Sequence, residues 1–95
     1  MKFSYSTETQ TGEDLLLEEE IVELKDLVLY NDDVNTFDFV IETLIKLCGH
    51  EALQAEQCAH IIHFSGKCAV KRGAPEKLVP ICEAMLDRGL SAKIE

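Results

Sequence analysis

Ninety-five residues, 46% of them hydrophobic but only 6% aromatic and none of them Trp, suffice for one domain with a mainly aliphatic core. A formal net charge of −9, with nine Lys and Arg and no basic stripe, disfavours nucleic-acid binding and excludes a polybasic membrane contact. No stretch approaches the about 20 apolar residues of a membrane-spanning helix, and no apolar signal segment follows Met1-Lys2-Phe3-Ser4.

The charge is unevenly placed. Residues 1–23 carry seven acids against Lys2, a net of −6, and the remaining 72 residues carry eleven acids against eight bases, a net of −3. Residues 1–12 are rich in Ser, Thr, Gln and Gly and lack a hydrophobic period. Residues 13–23 are compatible with a short helix or strand and equally with an unfolded chain, which is the reading favoured. The expected organisation is a flexible acidic extension over 1–23 and a folded domain over 24–95.

Leu24 to Tyr30 reads as the first strand, ending at the turn-prone run Asn31-Asp32-Asp33. Asn35 or Thr36 can cap a helix in which Phe37, Val40, Ile41, Leu44 and Leu47 or Cys48 recur at helical spacing, with Gly49 closing it. A second helix is predicted from about Glu51 to His63, with Leu53, Ala55, Cys58, Ala59, Ile61 and Ile62 as a mostly apolar surface.

After Ser65-Gly66, the alternating run Lys67-Cys68-Ala69-Val70-Lys71 predicts a half-buried strand. Pro75 suits the first turn of a third helix that carries Leu78, Ile81, Cys82, Met85 and Leu86 inward, with an irregular start or kink at Pro80. Gly89 ends it and Leu90 to Glu95 alternates as a last strand. The order β-α-α-β-α-β predicts an α+β two-layer domain, a three-stranded sheet covered by three helices.

Three adjacent polar side chains at a strand end form an acceptor cluster suited to a small cationic group. The same residues also commonly bond nearby backbone and start helices. His63, late in a helix, is either a complement to the helix C-terminus or, as a neutral ring, a third acceptor beside Asn31 and Asp32 for an ammonium with three N–H donors. His60 and His63 share a helix face and have Cys58 nearby, which raises a metal reading, but Cys58 and His60 are two residues apart and point in different directions.

Catalysis has no support. There is no nucleophile paired with a base by spacing, no poised carboxylate pair and no phosphate loop, so no cofactor is expected. Cys48, Cys58, Cys68 and Cys82 form no C-x-x-C pair, which fits reduced thiols in a bacterial-type cytoplasm.

From Leu27 to Glu95 the chain resembles the ClpS family of Clp protease adaptors. The resemblance lies in Val28-Leu29-Tyr30-Asn31-Asp32-Asp33, then Phe39-Val40-Ile41, then Ile62-His63-Phe64-Ser65-Gly66-Lys67, and the acidic start is similar to the family's N-terminal extension. It implies a fold shared with the C-terminal domain of the bacterial ribosomal stalk protein. It also implies an adaptor that binds the free N-terminal Leu, Phe, Tyr or Trp of N-degron substrates and delivers them to a Clp-family AAA+ unfoldase of ClpA or ClpC type.

By that resemblance Asn31, Asp32 and His63 hold the α-amino group, while Asn35, Phe37, Val40, Ala59, Ile62 and Leu90 line the side-chain pocket. The chain departs from the family pattern at Asn35-Thr36-Phe37, where Thr-Pro-Met is frequent, and at Ala59, where a bulky Met is common. A small residue there widens the pocket and weakens discrimination against Ile and Val. The rival readings are a non-catalytic protein-interaction domain of the same fold without N-degron recognition, and a small metal-binding regulator using Cys58, His60 and His63.

Overall fold

A computed structural model of the protein describes residues 14–17 and 20–95. Two short strands, β1 (Asp14–Leu17) and β2 (Glu20–Glu23), pair antiparallel with each other, with Leu15 opposite Val22 and Leu16 opposite Ile21. They precede β3 (Lys25–Tyr30), α1 (Phe37–Cys48), α2 (Ala52–Ser65), β4 (Lys67–Gly73), α3 (Pro75–Asp87) and β5 (Ser91–Ile94). The main sheet is antiparallel, ordered β4-β3-β5, and the three helices complete an α+β domain as the sequence predicts.

The hairpin is a difference from the sequence reading, which favoured an unfolded chain over 13–23. Its backbone groups pair across the ladder, which supplies hydrogen bonds that composition does not reveal. The remainder of the expected extension, residues 1–13, 18 and 19, lies outside the described residues.

Leu27 and Leu29 alternate inward from the central strand and join Leu44, Leu78 and Met85, all essentially fully buried. Against β4 the register slips between Leu27 and Val28, so that Leu27 faces Lys71 and Val28 faces Ala69, leaving Val70 as the extra residue of a bulge. The Val70 carbonyl is satisfied by buried His50, whose Nε2–H donates to it at 2.6 Å.

Thr36 caps α1, its Oγ1 accepting from the Phe39 N–H at 3.1 Å, and Gly49 closes the helix at φ 72° with its N–H on the Leu44 carbonyl. In α2 only Ala55, Ala59 and Ile62 are buried. Leu53, expected on the apolar surface, is 66% exposed, and Ile61 is exposed too. The buried positions are spaced i, i+4, i+7, one narrow stripe, with Ile61 well to its side and Leu53 on the opposite face of the helix.

The third helix starts at Pro75 and continues through Pro80. Arg88 follows it and ties the helix layer together. Its guanidinium donates to Thr43 Oγ1 at 2.9 Å and lies over the Phe39 ring, 5.6 Å from the centroid. No helix among the described residues is long and apolar enough to cross a membrane.

Candidate functional site

Two chain reversals bring the separated motifs together. At the end of β3 the Asn31 N–H donates to the Gly66 carbonyl at 2.8 Å, which extends the β3–β4 pairing by one residue. Gly66 adopts φ 97°, a left-handed conformation that lets the chain leave α2 and enter β4 directly. His63, in the last turn of α2, therefore stands beside the polar run that follows β3.

That run is held by its own side chains. Asp32 Oδ1 accepts from the backbone N–H groups of Val34 and Asn35, each at 2.9 Å, and Oδ2 accepts from Asn35 Nδ2, also at 2.9 Å. The carboxyl is held below the usual Asp range, chiefly by the Asn35 N–H, with partial burial opposing. The same Asn35 Nδ2 donates at 3.0 Å to the carbonyl of Gly89, beyond the end of α3.

Between this loop, α1 and α2 lies a concavity of about 320 Å³. Its polar lining is Asn31, Asp32, Asp33, Asn35 and His63, and its apolar lining is Phe37, Val40, Ala59 and Ile62. Asn31, Asp33 and His63 are exposed and mark the rim, whereas Ala59 and Ile62 are 2% and 4% exposed and form the floor. An apolar slot with convergent acceptors at its mouth suits a ligand with a cationic head and an apolar side chain.

The structure brings together eight of the nine residues that the sequence assigns to a site, and the ninth, Leu90, is not among those lining the cavity. Leu90 is 4% exposed within the main core, directed there by the turn at Gly89 and its own N–H bond to the Met85 carbonyl. Asp33 is an additional lining residue, a neighbour within the run that the sequence singled out. The Asn35 link to Gly89 joins positions 54 residues apart, and no local pattern announces it.

The α2 histidines face Phe37. Phe37 meets His60 edge-on with centroids 4.8 Å apart and His63 at 6.5 Å, and His63 meets Phe64 at 4.9 Å. Cys58 is half-buried, its thiol pushed up to about 11 chiefly by burial, with the neighbouring Cys68 thiol adding. Among the described residues no group of three or more His, Cys, Asp or Glu is arranged to hold a metal ion.

The profile of the family described as "ATP-dependent Clp protease adaptor protein ClpS" matches residues 23–93. Among curated proteins no sequence matches the chain. Among solved structures, the chain is similar to Agrobacterium tumefaciens ClpS2 bound to L-phenylalaninamide, with a TM-score of 0.72 and 19% identity over 76% of this chain and 94% of that one. At that identity the likeness speaks for the fold.

Proposed function

The chain belongs to the ClpS family of Clp protease adaptors, and from that premise we propose that its cavity binds the free amino-terminal residue of N-degron substrates. The adaptor accepts the Leu, Phe, Tyr and Trp class and delivers the bound proteins to a Clp-family AAA+ unfoldase of ClpA or ClpC type in the cytoplasm. The acidic segment 1–23 serves delivery and residues 24–95 serve recognition.

One observation carries this reading: acceptor groups crowd the rim of an apolar slot. An α-ammonium has three N–H donors. Asn31 offers an amide oxygen, Asp32 the lone pairs its loop bonds leave free, and His63 a ring nitrogen when the imidazole is neutral. The acidic rim matches the charge of the ammonium, and Asp33 adds to it. Below the rim, Phe37, Val40, Ala59 and Ile62 take up the side chain, whose burial is worth about 1.5–3 kcal/mol.

Specificity for a chain terminus follows from the rim. An acetylated or internal residue presents one uncharged N–H, so the acceptors lose their partners when the slot is filled. The similar A. tumefaciens structure is of ClpS2 bound to L-phenylalaninamide, a ligand with a free α-amino group and a phenyl side chain, which is the ligand class proposed here. The proposed role is non-catalytic.

Fluorescence anisotropy with a labelled peptide beginning with Phe tests the proposal. The free peptide binds, the N-acetylated peptide binds at least roughly 30-fold more weakly because charge-assisted hydrogen bonds are lost, and His63→Ala weakens the free peptide alone. Equal binding of the free and acetylated peptides would remove the basis for amino-terminal recognition.

A further inference from the structure

Asn35 stands at the junction of the polar loop and the side-chain slot, and its amide is oriented without ambiguity. Its Nδ2 lies 2.9 Å from Asp32 Oδ2 and 3.0 Å from the Gly89 carbonyl oxygen. A backbone carbonyl can only accept, and the Asp32 carboxyl, already taking two backbone N–H groups, is held in its acceptor-only ionised form. Both neighbours therefore demand the NH₂ end of the amide, and reversing it would set oxygen against oxygen twice.

Both N–H bonds are thereby consumed. The remaining polar atom of the side chain, Oδ1, receives no donor among the described residues, although Asn35 lines the cavity beside Phe37, Val40, Ala59 and Ile62. An acceptor beside the apolar part of the cavity is indifferent to an occupant only while water reaches it. A ligand ring that displaces this water and offers nothing in return leaves the oxygen unpaired, whereas a ring bearing O–H or N–H restores the bond.

We infer that Asn35 is a specificity-determining residue whose Oδ1 selects amino-terminal side chains carrying a hydrogen-bond donor, tyrosine and tryptophan, over phenylalanine and leucine. The inference rests on the reading of the cavity as an amino-terminus pocket and adds a preference within the ligand class. Ala59, which contributes only a methyl group to the same cavity, leaves space for a substituted ring.

The test is a competition series against one labelled peptide, with unlabelled peptides identical except for a first residue of Phe, Tyr or 4-fluorophenylalanine. The fluoro ring is close to tyrosine in shape and carries no donor. Tyr is expected to compete about 3- to 10-fold more strongly than Phe, the gain of one neutral hydrogen bond, with 4-fluorophenylalanine at the Phe level. Asn35→Ala is expected to bring Tyr and Phe to equality.

If that variant disturbs the loop and binds neither peptide, the three-peptide series on the native protein decides by itself. Equal competition by Tyr and Phe, or 4-fluorophenylalanine matching Tyr, overturns the role of Asn35 while leaving the pocket intact. Failure of every free-amino peptide overturns the pocket reading and this inference together.

Discussion

At the level of single side chains, Asp32 holds the loop through three hydrogen bonds and, in the proposed role, meets the ligand as well. Its folded-state pKa is depressed, so its contribution to stability is present above the ordinary carboxylate range and is lost as pH falls through the depressed value. Asp32→Ala should therefore lower the melting temperature at pH 7, and the gap from the native protein should close on acidification below the usual Asp pKa, as followed by circular dichroism. A gap independent of pH would mean that the charge contributes nothing. Ala59 gives a second prediction at this scale. With a methyl group at the slot floor, the native protein should accept peptides beginning with Ile or Val. Ala59→Met, which overfills the slot, should reject them by about tenfold more than it does Phe. Equal rejection of Ile and Val by both proteins counts against a widened slot. That Asn31, Asp32 and His63 meet at one cavity was legible in the sequence because two short motifs carry them. Leu90 and the Asn35–Gly89 bond were not, because each depends on where α3 ends in space rather than on any local pattern.

At the scale of elements, the turn from α2 into β4 decides whether the two halves of the site meet. Gly66 has a positive φ of 97°, and a Cβ there would meet nothing within 4 Å, so substitution carries a backbone cost and no clash. Gly66→Ala is expected to cost about 1 kcal/mol, which for a domain of this size lowers Tm by roughly 4–8 °C. It should also weaken binding of a Phe peptide, since the Gly66 carbonyl anchors Asn31 and the turn sets the position of His63. A stability loss with unchanged affinity would show that the site tolerates a shifted turn. Hydrophobic period and punctuation made the β-α-α-β-α-β order readable, with Thr36, Gly49, Pro75 and Gly89 marking the helix ends. The β1–β2 hairpin was hidden because acidic composition argues against burial but not against backbone pairing. The exposed Leu53 and Ile61 were hidden for a related reason: an α2 that is apolar on several sides does not reveal which stripe the sheet will choose.

For the molecule as a whole, charge and recognition are separable. The described pocket is built from residues 31 to 63, whereas seven of the eighteen acids fall within the first 23 residues. Removing residues 1–20 deletes six acids and Lys2, which takes the formal net charge from −9 to −4 without touching any lining residue. Equilibrium affinity for a Phe peptide should then stay within about twofold at physiological salt, because charges beyond the Debye length of about 8 Å are largely screened. In the proposed role delivery is a different event, in which the extension rather than the pocket meets the unfoldase. The truncated protein should therefore fail to stimulate degradation of a Phe-tagged substrate in an assay with unfoldase, peptidase and ATP. Loss of peptide affinity on truncation would place part of the recognition surface in the extension. Unimpaired degradation would instead show that the folded domain alone brings substrate to the unfoldase.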